Sequence, residues 1–243
     1  MITKKYITLA VMFSFVVVGV FVFQFYFRLG YEFSNKPSDW VDFSDYIGGL
    51  LGPIFSFLSF VLLLHSIKLQ GEANVVLKKD MAQNYKNERF RVFESHFFNL
   101  IDAQRIAFGN FKYDDGSAEY TGAVAVIKIE DEIFNFRDDN ASDDKITEWL
   151  EVLDEQDQIH NVVRVFTNLV KMICSRLSNE NGFDKYERRE QLTSLINLTE
   201  YAQLRLIAIA IRFMAAYHPV KYLASNEEFM SVIEEMKLSL SEY

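Results

Sequence analysis

Tyr6-Ile7-Thr8-Leu9-Ala10-Val11-Met12-Phe13-Ser14-Phe15-Val16-Val17-Val18-Gly19-Val20-Phe21-Val22-Phe23-Gln24-Phe25-Tyr26-Phe27 contains no charged side chain. At ~1.5 Å per residue, a helix of this run is roughly 33 Å long, about the thickness of a bilayer's hydrocarbon core. Lys4 and Lys5 precede it as they would a secretory signal, but the run is too long for a signal h-region and no small-x-small cleavage site follows. A retained signal anchor over residues 6–27 is the expectation.

A second uncharged run covers residues 46–67, interrupted only by small residues, Pro53, three serines and His65. It too has spanning length. The connection from Arg28 to Asp45 holds Glu32, Asp39, Asp42 and Asp45 against Arg28 and Lys36, whereas Lys4, Lys5, Lys68, Lys78, Lys79, Lys86, Arg89 and Arg91 flank the outer ends. Positive charge on the cytoplasmic side then places both termini in the cytoplasm and the acidic connection outside. Arg205 and Arg212 interrupt the later apolar stretch from Leu204 to Ala216, and each is expensive at mid-bilayer, so that stretch reads as a core helix.

The 243-residue chain carries 34 acidic and 25 basic residues. Residues 70–243 hold 30 of the acids and 20 of the bases. A surface this negative repels phosphate backbones, which argues against general nucleic-acid binding. The single cysteine, Cys174, cannot form an internal disulfide, and four scattered histidines without cysteine partners do not make a structural zinc site. Neither a nucleophile elbow, a phosphate-binding loop, a dinucleotide fingerprint nor a His-Glu-x-x-His motif is present. No enzyme, cofactor or metal is expected.

Beyond the second run, residues 70–110 read as a stalk helix, charged as far as Arg91 and then carrying Phe93, Phe97, Leu100, Ile101 and Phe108 at helical spacing. Tyr113 to Gly116 marks a turn, and Ala123 to Phe136 is apolar-periodic, read as helix rather than strand. Fifteen acids against three bases in residues 114–157 read as a solvated, partly mobile connector, or else as a docking surface for a basic partner or a cation. Helical patterns resume over Gln158–Leu177, Lys185–Ile196, Leu198–Tyr217 and Asn226–Leu240, separated by Asn179 to Gly182 and by His218-Pro219. The fold class is all-α: a transmembrane hairpin in residues 1–69 with spans at about 6–27 and 46–67, followed by an acidic helical cytoplasmic domain in residues 70–243.

Gly48, Gly52 and Ser56 put three small side chains on one face of the second run, which lets another helix approach closely. That helix belongs either to a second copy of the chain or to its own first span. Pro53 leaves the Gly49 carbonyl without its usual partner, so a bend there is cheap and is a candidate moving part in pore opening. Trp40, Tyr46, Tyr26 and Tyr31 fall at the outer interface, where amphipathic rings sit, and His65 is near the inner one. Arg212-x5-His218 fits the loose arginine–histidine spacing of HEPN-type ribonucleases, but Arg91-x4-His96 fits it equally well.

Two blocks carry a family resemblance. Trp40-Val41-Asp42-Phe43-Ser44-Asp45-Tyr46-Ile47-Gly48-Gly49-Leu50-Leu51-Gly52-Pro53-Ile54-Phe55-Ser56-Phe57-Leu58 resembles the entrance to the second span in the phage abortive infection protein family. Phe93-Glu94-Ser95-His96-Phe97-Phe98-Asn99-Leu100-Ile101 is similar to a Phe-Glu-x-x-Phe-Phe-Asn-Leu-Leu run of that family. The likeness covers residues 1–105 and departs from the family pattern at Ser44 and Gly52. Trp40, Phe43, Asp45, Phe93, Glu94, Phe97, Phe98, Asn99 and Leu100 carry it.

The resemblance implies an anti-phage effector of the bacterial inner membrane that kills or arrests the infected cell before phage mature. With the small-residue face of Gly48, Gly52 and Ser56, the expectation is that activated spans assemble as a homo-oligomer and breach the membrane lipid. The resemblance further implies restraint by a partner protein or a ribonucleoprotein such as a retron reverse transcriptase complex. It brings no catalytic residue. A membrane-anchored HEPN-like ribonuclease and a non-catalytic membrane adaptor are the alternatives.

Overall fold

The computed structural model describes residues 2–30, 32 and 34–236, together with the backbone but not the side chains of Ile2, Thr3, Lys4 and Tyr6. Its regular structure is helical except for one short hairpin, with nine α-helices among the described residues. Tyr31 and the stretch from Lys237 to Leu240, an expected interface anchor and the end of the last expected helix, lie outside the described residues. The chain divides into two compact units, Met1–Asp80 and Met81–Tyr243.

The first unit holds α1 (Ile2–Val22), a π-helical turn over Phe23–Arg28, and the beginning of α2 (Pro37–Gly109). Both helices are long and apolar enough to cross a membrane. Their large side chains face outward: Phe15 is 74% exposed and Phe57 69%. Among the described side chains of α1 and the π-helical turn, Ala10, Ser14, Val17, Phe21 and Gln24 lose much of their exposure, at spacings of three and four. In the span-length part of α2 the corresponding stripe is Phe43, Ile47, Leu51, Leu58 and Leu62. The stripes meet at Phe21, whose ring lies 4.7 Å from that of Phe43 and 5.2 Å from that of Tyr46.

An expected span and an expected stalk are here one element of 73 residues. The expected connection from Arg28 to Asp45 is correspondingly shorter, because α2 already begins at Pro37. Proline is preorganised for a first helical turn, where its missing N–H matters least. Between Ile67 and Gln70 the sequence changes from apolar to charged, but a change of polarity breaks no backbone hydrogen bond. Pro53, the one proline inside α2, removes a single bond, and the helix continues across it.

The second unit takes the rest of α2 and adds the hairpin strands β1 (Lys112–Asp114) and β2 (Glu119–Thr121), α3 (Gly122–Asp138), α4 (Asp143–Leu153) and α5 (Gln158–Arg176). A 3-10 turn at Asn179–Asn181 leads to α6 (Lys185–Leu198), α7 (Tyr201–Phe213), α8 (His218–Ser225) and α9 (Glu227–Glu235). The hairpin pairs Tyr113 with Tyr120 and turns through Asp115, whose Oδ1 accepts the Ser117 and Ala118 N–H groups at 2.8 and 2.9 Å. α5 is the central helix: Ile159, Val162, Val163, Phe166, Leu169, Val170 and Ile173 are all buried at helical spacing. α6 begins with a reciprocal cap, Asp184 accepting from the Glu187 N–H and Glu187 from the Asp184 N–H.

The acidic stretch 114–157 is not a mobile connector; it supplies the hairpin, α3 and α4. Ala125, Val126, Ile129, Ile133, Ile146 and Leu150 are 0% exposed, while most of the acids lie on the solvent faces of the same helices. An excess of one charge is tolerated when amphipathic spacing keeps it in water. His218-Pro219 is likewise more than a break, since Pro219 sits in the first turn of α8.

Candidate functional site

In the first unit, the small face expected on the second apolar run is uncovered. A methyl group built on Gly48, Gly49 or Gly52 would meet nothing within 4 Å. α2 residues near α1 lie on the Phe43–Leu51 stripe instead, so α1 leaves the Gly48–Gly52–Ser56 face open. Trp40 is half exposed, and its indole N–H donates to the Ser34 carbonyl at 2.9 Å, fixing the turn that leads into α2. Asp45 and His65 are exposed.

Within the second unit, the Phe93–Ile101 block divides by face. Phe93 and Phe97 are 1% and 2% exposed and stack at 5.6 Å, and Leu100 is half-buried beside them. Glu94, Phe98 and Asn99 point to solvent. The conspicuous part of this motif is therefore core packing, with the remaining three side chains available to contact something else.

This part of α2 is fastened to α6, to the 3-10 turn before it and to the start of α7 by a small number of polar contacts. Lys86 Nζ meets Glu187 at 2.7 Å and lies over the Phe183 ring, and an Arg89 guanidinium nitrogen donates to Asn181 Oδ1 at 3.0 Å. At the other end Gln104 Nε2 donates to Thr199 Oγ1 at 2.8 Å and to Gln203 Oε1 at 3.2 Å. Sequence reasoning missed these residues: nothing in the spacing of Lys86 and Glu187, or of Gln104 and Gln203, announces their partnership.

Two groups of titratable residues complete the unit. Asp154, 3% exposed, accepts the Ile159 and His160 backbone N–H groups at 2.6 and 3.1 Å, capping α5 from the end of α4. Burial pushes its carboxyl above the usual carboxylate range, against the pull of those two bonds. Tyr217 beside it is pushed up to about 12, first by burial and then by the Asp154 charge, and its ring lies 5.2 Å from that of His160. Elsewhere a cleft of about 470 Å³ is lined by Cys174, Ser178, Asn179, Arg188, Ser225, Asn226, Glu227 and Glu228. Arg188 commits every guanidinium nitrogen there, to Glu228, Asn179 and the Leu177 carbonyl.

Arg212, one half of the ribonuclease-like pair, joins Asp143 at 2.9 Å, and Asp143 also meets Arg137 at 2.6 Å. The Arg137 bond, ahead of Arg212, holds the Asp143 carboxyl below its ordinary range. His218 is exposed at the start of α8, and no hydrogen bond or ion pair joins it to Arg212 among the described residues. Among the described residues there is no group of three or more His, Cys, Asp or Glu side chains that could hold a metal ion. Comparison with family models, with curated proteins and with solved structures finds no match for this chain.

Proposed function

We propose that the protein is a membrane-anchored effector of anti-phage defence, whose two apolar helices form a hairpin across the bacterial inner membrane and whose helical unit works on the cytoplasmic side. The observation that carries the membrane part is the outward exposure of both apolar helices, with 6% of the first spanning window and none of the second buried. A core helix of a soluble protein buries such side chains; here lipid is the solvent that suits them. The Phe21 contacts with Phe43 and Tyr46 bring the end of α1 to the start of α2, as a hairpin requires. The defence role rests on the family resemblance of residues 40–58 and 93–101.

The open Gly48–Gly52–Ser56 face supports assembly of several copies. Without a hydrophobic driving force between helices in lipid, close approach over small residues is what makes a contact worthwhile. In the activated state these faces pair between copies and the assembly breaches the bilayer, while a partner protein or ribonucleoprotein holds the resting chain in check.

Two experiments separate these layers. Full-length protein expressed in bacteria stays with the vesicle pellet after alkaline carbonate extraction; recovery in the supernatant ends the membrane reading. During phage infection, expressing cells lose membrane potential within minutes, and the Gly48→Leu/Gly52→Leu variant keeps both its potential and its membrane location. A toxic chain that leaves the potential intact ends the breach mechanism.

A further inference from the structure

Gln104 and Gln203 are each 2% exposed, and each keeps one amide atom, Gln104 Oε1 and Gln203 Nε2, without a hydrogen-bond partner among the described residues. They face one another across the seam between α2 and the first turn of α7, joined by the single 3.2 Å bond from Gln104 Nε2. A buried amide atom left unpaired forfeits its hydration without compensation. The central helix offers a contrast: its one fully buried polar side chain, Thr167, donates to the Val163 carbonyl at 2.8 Å.

The rest of the seam is also divisible. One other polar contact is buried, the 2.8 Å bond from Gln104 Nε2 to Thr199 Oγ1, whose hydroxyl keeps its own bond to the Leu195 carbonyl when Gln104 leaves; the rest, Lys86 with Glu187 and Arg89 with Asn181, involve partly or fully exposed groups that water can take over at little cost. Phe90, Phe93, Phe97, Ile101 and Phe108 supply the apolar hold, and these residues belong to one continuous piece of helix. Lifting that piece needs no break inside residues 86–108 or inside α6, and it gives water to both unpaired amide atoms.

We propose that residues 86–108 of α2 are a strap that opens from α6 and α7 as a unit, with the incompletely bonded Gln104–Gln203 contact as its weak point. The phenylalanines keep the closed state dominant. The incompletely bonded amides lower the free energy of opening below that of unfolding the α5 core, so the strap separates before that core does. The proposal concerns the second unit alone and stands whether or not the apolar helices cross a bilayer.

Amide hydrogen exchange on the full chain in detergent micelles tests it, comparing residues 93–108 with residues 162–173 of α5. In the native chain the α2 amides exchange through an opening distinct from, and more frequent than, that of α5. Gln104→Leu with Gln203→Leu slows α2 exchange about tenfold or more and leaves α5 within about twofold. Gln104→Glu, which seats a carboxylate in the same place, speeds α2 exchange by about tenfold or more at neutral pH with α5 unchanged. Matching exchange of the two helices in the native chain overturns the proposal. So does a double-leucine variant that fails to slow α2, or a Gln104→Glu variant that loses protection equally in both segments.

Discussion

Arg188 clasps Glu228 with two nitrogens, Nε to Oε2 at 2.9 Å and Nη2 to Oε1 at 2.8 Å, tying α6 to the first turn of α9. The pair is largely withdrawn from water, Arg188 being 11% and Glu228 26% exposed at the side chain. Parallel bonds of this kind are among the strongest polar contacts a protein makes, and removing one partner leaves the other charge poorly solvated.

Glu228→Gln is therefore expected to destabilise the helical unit by about 1–3 kcal/mol, read as a lower thermal midpoint of the full chain in detergent. The same contact predicts a pH effect. Bonding to Arg188 holds the Glu228 carboxyl below its ordinary value of 4.5. A lowered folded pKa means that the stabilisation is complete above the unfolded value and is lost as pH falls through the folded one. The Gln variant should show less acid destabilisation than the native chain below about pH 4.5; an equal loss in both would place acid sensitivity elsewhere.

Asp154 works in the opposite sense. Burial raises its carboxyl above 3.8, so the folded chain holds this proton more tightly than the unfolded chain does. Its contribution is then most favourable below the unfolded pKa and is lost as pH rises through the raised folded value. Asp154→Asn removes that pH step; Asp154→Ala removes it too and, by leaving the Ile159 and His160 N–H groups unpaired, lies about 1–3 kcal/mol below the Asn variant at every pH. Thermal midpoints measured across acidic to neutral pH separate the two variants.

The Phe93–Ile101 block supplies a paired contrast. Phe93→Ala empties a fully buried site and should cost about 3–5 kcal/mol, while Phe98→Ala, at a position 55% exposed, should change stability by no more than about 0.5 kcal/mol. If Phe98→Ala abolishes activity in infected cells without lowering the thermal midpoint, that ring contacts a partner. If both variants fail only by unfolding, the block serves packing alone.

For the arginine–histidine pair, Arg212 is engaged with Asp143, and among the described residues no hydrogen bond or ion pair joins His218 to it. His218→Ala is expected to leave cellular RNA intact and toxicity unchanged. Fragmented RNA in cells expressing the native chain that disappears with His218→Ala would instead support a nuclease.

Legibility in the sequence followed the strength of local pattern. Residues 158–176 announce an amphipathic helix because their apolar side chains recur at three and four, and α5 occupies that range. Ala123 to Phe136 was legible for the same reason and lies within α3. α4 was hidden by its own acids: the apolar pair Ile146 and Leu150 is too sparse to outweigh Asp143, Asp144, Glu148 and Glu151 until the core it enters is known. α8 was hidden by a proline that can either end a helix or begin one.

From its amino acids alone the chain determines two uncharged runs of membrane-spanning length, a helical fold and an acidic second unit, because hydropathy, periodicity and charge are properties of neighbouring residues. Tertiary structure alone decided which face of α2 stays open at Gly48 and Gly52, that Gln104 meets Gln203, and that Arg188 meets Glu228. Those choices bring together residues distant along the chain or depend on which helix covers which face, and side-chain shape and hydrogen-bond geometry settle them only once the helices are packed.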